Sequence, residues 1–432
     1  MYIPFEKIFN AISLFFPIKS RAFIRNIANT LKIKQNVNYI QKNRKKVLKN
    51  LRIKIKHKKL NVAFYIYIAE QWKCQSLYDL LEKSENFTPY IIVTKNAVQE
   101  GYVSYHSEEH VKKTFDFFKN KNMRVICGYD FEKKQHIPFE KLEPKPDIIF
   151  YQHPWHIETS QGPVKTSEFA LTYYIPYFLA TSTAPQEYYL RFHQYVQTHY
   201  VINEQIKNYF GKNQTNKGKN LKTVGHPHLD YFYLNKAKKY EQKDFIIYAP
   251  HWSFNSTNNL KWGTILWSGE YMLEFAKQHP EYNWVFRPHP ILKKSLQLWA
   301  WDEEKIKNYW NSWSEIGIVS ESGDYLDSFM ESQMLITDCG SFQTEYFMTQ
   351  KPCIYLKSDN GVPFNPAVQS IVDTYYTVRN QEELQQTLEN VLLNKNDFKQ
   401  KERHLAYDKL GYHNNYSAQN ILDDLHNTLD IN

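Results

Sequence analysis

The sequence predicts an α/β fold with two doubly wound, Rossmann-like domains preceded by a basic helical extension. From residue 60 onward, short β-rich runs alternate with helical stretches, as in chains whose parallel strands are joined by helices. Several of these runs are continuously apolar, which is typical of strands covered on both faces. The alternation occurs in two blocks, at about 60–225 and 240–410, and the polar stretch at 211–220 has the composition of a loop between them.

Runs rich in β-branched and aromatic residues are predicted as strands. They lie at 61–69, 89–94, 123–129, 147–152, 199–203, 244–250, 282–288, 316–320, 334–338 and 352–356. Helical segments between them are predicted at 75–83, 107–119, 267–279, 302–313, 341–349 and 381–394. The predicted parts are a basic amphipathic helical segment at 1–59, a first Rossmann-like domain at 60–233, and a second at 234–432 with a closing helix. Ligands of open α/β sheets bind beyond the carboxyl ends of the strands, so functional side chains are expected directly after these runs.

The N-terminal segment is strongly basic. Residues 1–60 contain 16 Lys and Arg but a single acid, Glu6, which gives a net charge of +15 in a chain whose total is +9. The other 372 residues therefore carry −6. Such asymmetry indicates contact with nucleic acid or with a membrane surface.

Apolar residues at helical spacing accompany this charge. They are Phe5, Ile8, Phe9, Ile12, Phe15 and Phe16 before Pro17, and then Phe23, Ile24, Ile27 and Leu31. Together with the basic run at 41–59, they are typical of an interfacial helix on an anionic leaflet. The alternatives are a helix packed on the protein body with a solvated charged face, and nucleic-acid binding. No helix-turn-helix, zinc-finger or RNP pattern is present, which disfavours nucleic acid.

Composition excludes several classes of protein. With 42% hydrophobic and 23% charged residues, the chain is typical of globular proteins and not of disordered ones. The four widely spaced cysteines (Cys74, Cys127, Cys339 and Cys353) form no C-x-x-C pair, so reduced, buried thiols are predicted. No apolar run approaches the ~20 residues that span a bilayer, and no small-residue cleavage site follows the apolar stretch at 8–18. A cytoplasmic location is therefore expected.

The first strand-end loop of interest contains two histidines. His153 and His156 follow the predicted strand at 147–152, and either could act as a general base because imidazole accepts protons near neutral pH. A histidine metal pair would need a third ligand, and none is visible by spacing, so no metal site is predicted. A structural histidine packed under aromatic residues is the alternative.

The second block has a basic pair after a strand. Arg287 and His289, each followed by a proline, come directly after the run at 282–288. A guanidinium presents a planar donor fork suited to phosphate, and His289 could donate to phosphate oxygens or transfer a proton. A chance basic pair on a surface loop is the alternative. The segments at 225–230 and 248–252 could line the same cleft.

A further strand-to-helix turn contains Asp338, Gly340 and Ser341. Free backbone N–H groups at such a helix start suit a phosphate or pyrophosphate, although Ser341 could equally be an ordinary N-cap. Glu345, one turn into the helix, could accept hydrogen bonds from ribose hydroxyls. No G-x-x-x-x-G-K-[ST], G-x-G-x-x-G or G-x-S-x-G motif is present, which excludes the P-loop, the standard dinucleotide fingerprint and the hydrolase elbow.

Five segments in a fixed order carry a resemblance to a known family. They are GHPHLD (225–230), YAPHW (248–252), RPHP (287–290), LITDCGSFQTEYF (335–347) and KPCIYL (351–356). In this order they resemble the CDP-glycerol glycerophosphotransferases, the polymerases and primases of teichoic acids and related capsule polymers. The first block is similar more loosely, through QWKCQSLYDLL (71–81), QHPWH (152–156) and YIPY (174–177).

The resemblance implies a GT-B-like pair of Rossmann-type domains. It also implies transfer of a phosphopolyol, most simply glycerol phosphate, from a CDP-linked donor to a hydroxyl of a lipid-linked or glycan acceptor, with release of CMP. No cofactor is expected beyond this donor substrate. By the same resemblance, the donor site would consist of Pro250, Arg287, His289, Asp338, Gly340, Ser341 and Glu345. His153 would be the general base, with His156 as the second candidate for that role. His289 would be a further catalytic group.

Two other interpretations remain open at this point. The first is a GT-B glycosyltransferase that uses a nucleotide sugar in surface polysaccharide synthesis, since fold alone does not separate the two activities. The second is a non-catalytic membrane scaffold, which would be expected to lack the pairs Arg287/His289 and Ser341/Glu345, all of which are present. For a transferase, the basic segment would hold the enzyme on the inner face of the cell membrane, where a lipid-linked acceptor resides.

Overall fold

The computed structural model describes residues 18–97, 107–235, 245–255, 260–321, 325–411 and 416–431. In these ranges the strands form a seven-stranded sheet, a six-stranded sheet and one small antiparallel pair. Every strand pairing inside the two large sheets is parallel. Two parallel sheets with helices between their strands confirm the predicted fold class.

The first sheet has the strand order β3-β2-β1-β6-β7-β8-β9. Its strands are β1 (Leu60–Ile66), β2 (Phe87–Val93), β3 (Val125–Cys127), β6 (Ile148–Tyr151), β7 (Leu171–Tyr174), β8 (Thr198–Val201) and β9 (Leu221–Thr223). The antiparallel pair consists of β4 (Tyr129–Asp130) and β5 (Gln135–His136).

The second sheet has the order β12-β11-β10-β13-β14-β15. Its strands are β10 (Phe245–Ala249), β11 (Asn283–Phe286), β12 (Gly317–Val319), β13 (Ser332–Thr337), β14 (Cys353–Leu356) and β15 (Tyr376–Val378).

The helices of the first half are α1 (Ile18–Lys54), α2 (Gln75–Lys83), α3 (Glu108–Asn120), α4 (Pro163–Thr166), α5 (Arg191–Tyr195), α6 (Glu204–Asn213) and α7 (Asp230–Leu234). Those of the second half are α8 (Ile265–Gln278), α9 (Leu292–Trp299), α10 (Glu303–Ile316), α11 (Leu326–Glu331), α12 (Gly340–Tyr346), α13 (Pro366–Val372), α14 (Gln381–Thr387), α15 (Gln400–Leu410) and α16 (Ser417–Leu429). A π-helical turn, Leu388–Leu393, follows α14 directly.

Strand β1 shows why these runs are apolar throughout. Its alternate residues Val62 and Phe64 enter the core on one face of the first sheet. Ala63 and Tyr65 between them enter a separate core on the other face. A strand covered on both faces buries consecutive side chains, so a continuous apolar run replaces the alternation of a half-exposed strand.

All ten predicted strands are present, with ends that differ by a few residues. Five shorter strands in the described ranges, β4, β5, β7, β9 and β15, have no separate counterpart among the ten predicted runs. Strand β7 lies in a tyrosine-rich segment without a clear boundary signal, and β15 has only three residues. Elements this short carry little periodic pattern, so their position depends on pairing with neighbouring strands.

Helix α1 packs on the protein body. Its residues Ile40, Val47 and Leu51 are buried, and the helix contacts β7, α5 and α16. Near its end, Lys54 pairs with Asp147 at 2.6 Å. The alternative of a packed helix with a solvated charged face is therefore the observed arrangement for this part of the chain, whereas the apolar pattern at 5–16 lies outside the described residues. No helix in the described ranges has the length and apolarity to cross a membrane.

The last helix returns to the first sheet. In α16, Ile421 and Leu425 enter the core that contains Leu77 of α2. Asp230 accepts hydrogen bonds from the first two N–H groups of the helix, at 2.6 and 2.9 Å. Helix α16, at the end of the predicted 234–432 domain, thus packs against the first block. The first residues of this helix are hydrogen-bonded to Asp230, near the end of the predicted 60–233 domain.

Candidate active site

The loops at the carboxyl ends of the two sheets meet through Lys73. This residue follows β1, and its Nζ donates to the hydroxyl of Tyr325, in the second block, over 2.9 Å. The same Nζ lies 3.2 Å from Nε2 of His228, in the segment between the blocks. We call Lys73, His228, Arg287, Tyr325 and Glu345 the junction cluster. It lies where ligands of open α/β sheets bind.

Glu345 is the anion of the junction cluster. Its side chain is 4% exposed, and its Oε2 accepts a hydrogen bond from the Tyr325 hydroxyl and lies 3.1 Å from His228 Nε2. Burial raises the pKa of Glu345, but the charges of Lys73 and His228 and these hydrogen bonds outweigh it and lower the pKa to about 2. The carboxylate is therefore ionised throughout the physiological range. Glu345, the predicted acceptor for ribose hydroxyls, contacts His228 and Tyr325. Both of these residues contact Lys73 of the first block.

Arg287 supplies a second cation to the same cluster. Its backbone N–H donates to Tyr248 O at 2.8 Å, which holds the residue at the end of β11. The guanidinium donates to the Ser320 hydroxyl, and its carbon lies 4.8 Å from the centroid of the Tyr325 ring. A guanidinium presents a planar donor fork that matches the oxygens of a phosphate, which suits the predicted phosphate contact.

His289 has one defined ring proton. The backbone N–H of Ile291 donates to its Nδ1 at 3.3 Å, so the proton of the neutral ring is on Nε2. Burial lowers the pKa of His289 to about 3, which keeps the ring neutral. Its own backbone N–H donates to the Pro250 carbonyl at 3.0 Å. The loops that contain Pro250 and His289 are thus joined, and His289 is a neutral hydrogen-bond donor.

Asp338 holds a loop in place. One carboxylate oxygen accepts from His251 N at 2.6 Å, and the other accepts from the backbone N and hydroxyl of Thr264 at 2.6 and 2.8 Å. Burial raises the pKa of Asp338 to about 7 despite these bonds. Asp338 therefore positions the loop after β10, and the donor contact that the resemblance implies for it stays a prediction.

Gly340 and Ser341 lie in the first turn of α12. A Cβ on Gly340 would lie 3.0 Å from the rings of both Phe364 and Trp262, so this glycine makes room for aromatic packing. The N-cap of α12 is Cys339, and the interpretation of Ser341 as the cap is wrong. Ser341 lies in the first turn, half-buried, with its hydroxyl 3.4 Å from Cys339 Sγ.

His153 lies on the first sheet's side of the site. Its ring is sandwiched between Tyr67 and Tyr177, with both centroid distances 4.7 Å. Its Nε2 is buried and has no hydrogen-bond partner among the described residues. Burial lowers the pKa of His153 to about 3, so the imidazole is neutral at physiological pH. The stack agrees with a histidine packed under aromatics, but the bare nitrogen leaves the predicted base role open.

His156 differs from His153 in every respect. It is exposed, has a positive φ of 52°, and contributes its backbone carbonyl to hydrogen bonds from the Tyr67 hydroxyl and from Ala97 N. The structure thus places only His153 in a desolvated position at the strand end.

His226 and Asp230 explain much of the GHPHLD segment. The ring of His226 lies 2.7 Å from the Pro176 carbonyl through Nε2, and its Nδ1 accepts from His228 N. These bonds orient the turn so that His228 reaches Glu345, while Asp230 binds the start of α16. The segment therefore connects the two blocks.

In the described part of the chain, no group of three or more His, Cys, Asp or Glu side chains could hold a metal ion. The positive groups at the junction are side chains of the protein itself, Lys73 and Arg287. Sequence reasoning missed Lys73 and Tyr325. Lys73 lies beyond the end of β1, just before α2 begins, and Tyr325 is the N-cap residue of α11, so neither stands directly after a strand, where functional side chains were expected.

Comparison with known proteins addresses the family. The profile of the CDP-Glycerol:Poly(glycerophosphate) glycerophosphotransferase family matches residues 156–427, which is more than half of the chain. No curated protein sequence matches the chain.

Solved structures share the fold at low identity. The UDP-GlcNAc 2-epimerase from Neisseria meningitidis bound to UDP-GlcNAc matches with a TM-score of 0.54 and 15% identity over 85% of this chain and 100% of that chain. MnaA of S. aureus with UDP gives 0.55 and 13% over 86% and 98%. A wall teichoic acid polymerase TagF variant soaked with CDPG gives 0.51 and 14% over 93% and 98%. These likenesses show a GT-B-like arrangement of two Rossmann-type units.

Proposed function

This chain belongs to the CDP-glycerol:poly(glycerophosphate) glycerophosphotransferase family, and from that premise we propose a specific reaction. The enzyme transfers a phosphopolyol, with glycerol phosphate as the first candidate, from a CDP-linked donor to a hydroxyl of a lipid-linked or glycan acceptor, and CMP is released. The acceptor belongs to a teichoic-acid-type or capsule polymer.

One observation carries the proposal: the two strand-end loops are in contact at the junction cluster. The backbone N–H of Lys73 donates to Gln152 Oε1 at 3.4 Å, next to His153, while its Nζ reaches Tyr325, over which Arg287 is stacked. A neutral proton acceptor and a fixed cation thus flank one junction. Phosphoryl transfer requires this combination, because the nucleophile must lose a proton while negative charge develops on the phosphate.

His153 is the proposed general base. The acceptor hydroxyl attacks the distal phosphorus of the donor, and its proton moves to Nε2 of His153. The bond between that phosphorus and the bridging oxygen breaks, and CMP leaves with the electron pair. Proton transfer by a positioned base contributes typically about 10²–10⁴-fold to the rate.

Arg287 and His289 are the proposed groups that stabilise the developing charge. The guanidinium provides a fixed positive charge with several donors, and His289 provides the neutral Nε2–H donor. Preoriented donors in a desolvated site stabilise charge without reorganisation at the moment of reaction. Ser341, in the first turn of α12, is proposed as a further donor to the pyrophosphate.

The test is a donor screen with the purified full-length enzyme. CDP-glycerol is incubated with the enzyme and a lipid-linked glycan acceptor, and CMP release and acceptor mass are followed. We expect CMP formation that depends on acceptor, with a mass increase of one glycerol phosphate. UDP release from UDP-sugars without CMP from CDP-glycerol would overturn the proposal in favour of a glycosyltransferase.

We further propose that helix α1 holds the enzyme on an anionic membrane surface. Four exposed lysines lie on one face of α1 at helical spacing: Lys42, Lys45, Lys46 and Lys49. Near the start of the helix, Ile27 and Leu31 are exposed as well. Each basic side chain near an anionic leaflet adds about 1 kcal/mol of attraction.

The packing of α1 decides how this proposal is tested. Deleting the helix would remove Ile40, Val47 and Leu51 from the core, at about 1.5–3 kcal/mol each. Replacing the four lysines by glutamine leaves that core intact. We expect the variant to lose most of its co-sedimentation with vesicles that contain phosphatidylglycerol, while the wild type is retained.

A matched control removes the same charge elsewhere. The exposed lysines used for it are Lys119, Lys121, Lys133 and Lys134. We expect their replacement by glutamine to leave vesicle binding close to that of the wild type. Equal losses in both variants would mean that binding follows net charge, and the specific role of α1 would be disproved.

A further inference from the structure

Lys73 stands between the two halves of the proposed site. Its backbone donates to Gln152, the neighbour of His153, and Cys74 Sγ lies 3.6 Å from the same Gln152 oxygen. Its Nζ lies on the other side, 2.9 Å from the Tyr325 hydroxyl and 4.9 Å from the centroid of the Tyr325 ring. The backbone of Lys73 is thus bonded to the loop that follows β6 of the first sheet, whereas its ammonium group contacts Tyr325 in the second block.

Arg287 contacts the same Tyr325 ring, with its guanidinium carbon 4.8 Å from the ring centroid. Two cations from different sheets therefore converge on one aromatic ring. Glu345 accepts a hydrogen bond from the hydroxyl of this ring, and its negative charge offsets part of the cost of holding the half-buried Lys73 ammonium group there. Such a pair of cations is suited to a diphosphate, in which each phosphorus carries its own negative oxygens.

We propose that Lys73 binds the distal phosphate of the donor, which is the group transferred, while Arg287 lies on the nucleotide side. This inference rests on the proposed function and deepens it. The distal phosphorus must lie within reach of the acceptor hydroxyl, and hence on the side of the His153 loop. Lys73 is the described cation whose backbone is attached to that loop through Gln152.

The role of Lys73 in the reaction is electrostatic. The acceptor oxygen forms a bond to the distal phosphorus, the bond to the bridging oxygen breaks, and CMP takes the electron pair. The acceptor proton goes to His153. Lys73 keeps its proton and donates to the non-bridging oxygens, where negative charge is held during transfer. His228, Tyr325 and Glu345 are positioning residues, because they hold the ammonium group at the junction.

The contacts of Lys73 would also be present if the residue had only a structural role. The test therefore compares two ligands that differ in the distal phosphate. CMP lacks the distal phosphate, and CDP-glycerol has it. We measure the affinity of both for the wild type and for Lys73→Met by titration calorimetry without acceptor. Hydrogen bonds to charged groups are worth enough to predict about 10- to 100-fold weaker CDP-glycerol binding, with CMP binding within about twofold of the wild type.

Two further variants keep the result interpretable. Lys83→Met, on an exposed turn of the neighbouring α2, removes the same charge outside the site and should change neither affinity. Lys73→Arg retains the charge and should weaken CDP-glycerol binding less than Lys73→Met does. If Lys73→Met folds poorly, Lys73→Arg still allows the binding of CMP and CDP-glycerol to be compared.

Several outcomes would overturn the inference. Equal losses for CMP and CDP-glycerol would make Lys73 a structural contact, and unchanged CDP-glycerol binding would remove it from the site. Failure of the wild type itself to bind CDP-glycerol, with or without CMP binding, would overturn the proposed function and this inference together.

Discussion

The two strand-end edges that meet at the junction contain equally buried titratable groups in opposite states. On the first sheet's side, His153 is packed between two tyrosine rings, and burial lowers its pKa to about 3. On the second sheet's side, Glu345 is buried to the same degree, but Lys73 and His228 outweigh the effect of burial and lower its pKa to about 2. One group is therefore neutral and the other charged at the same pH.

The difference shows what burial does with and without a partner. Desolvation alone disfavours charge, so it keeps a histidine neutral. Desolvation beside an opposite charge preserves ions, because each ion replaces part of the other's lost hydration. The first edge therefore presents a neutral ring whose Nε2 has no partner among the described residues, and the second is suited to the binding of a charged ligand.

The largest expected effect comes from removing the neutral base. His153→Ala should lower kcat by about 10²–10⁴-fold while the affinity for CMP stays nearly unchanged. His156→Ala is the matched control, and should retain most of the activity because that side chain is exposed. Steady-state kinetics with nucleotide titration make the comparison. A large loss of CMP affinity in His153→Ala would mean that His153 binds the nucleotide, which would contradict its assignment as the base.

The next effect concerns the charged edge. Arg287→Ala should lower kcat/KM by about 10²–10³-fold, the range seen when one preoriented donor is removed from a transition-state site. Arg287→Lys keeps the charge but loses the donor fork and the stack on Tyr325, so an intermediate loss is expected. Kinetics at several salt concentrations measure both. Full activity of the lysine variant would show that charge alone is needed.

A smaller effect is expected from Asp338, the buried carboxylate that holds the loop after β10 in place. Asp338→Asn directs an amide N–H toward Thr264 N, so the free energy of unfolding should fall by about 1–3 kcal/mol. The loop after β10 should move with it and raise KM. Asp302→Asn is the control, because asparagine caps helix α10 as well as aspartate does. Denaturant unfolding of both variants tests the difference, and equal stabilities would contradict the loop-holding role.

The smallest effect is a pH dependence of stability. The pKa of His153 is about 3 in the folded protein and near its ordinary value of 6.5 when unfolded. Below pH 6.5 the unfolded chain therefore binds more protons, and the stability present above that pH is lost as the pH falls toward 3. The stabilisation from Glu345 is fully present above about pH 4.5 and is lost only as the pH falls from there toward 2, because its folded pKa is about 2.

The measurement compares the free energy of unfolding of the wild type and His153→Ala between pH 7.5 and 5. The difference between them should shift in favour of the variant by up to about 1.4 kcal/mol per pH unit below 6.5. The exposed His156→Ala variant serves as the reference. Parallel curves for wild type and His153→Ala would show that His153 is protonated as easily in the folded protein.

The strand pattern and the strand-end motifs were predictable because their signals are local. The run at 244–250 became β10, and Arg287 follows β11 as its position after an apolar run indicates. His153 was placed at the end of β6 for the same reason. Such patterns record burial and chain direction, which neighbouring residues determine together.

The roles of individual side chains were less predictable. Asp338 and Gly340 occupy the expected turn, but Asp338 binds the loop after β10 and Gly340 accommodates Trp262. Both contacts join residues more than 70 positions apart in the chain. Without an alignment or a structure, no local pattern indicates which distant side chain fills the space beside a turn.

The sequence by itself determined the alternation of strands and helices, the positions of the polar loops and the basic character of the N-terminal segment. Only the tertiary structure decided that Lys73 and Tyr325 meet, that the side of α1 with Ile40 is buried, and that Glu345 remains charged. The physical reason is distance. Secondary structure follows from interactions between residues close in the chain, whereas the state of a buried charge depends on groups that only folding brings within a few ångströms.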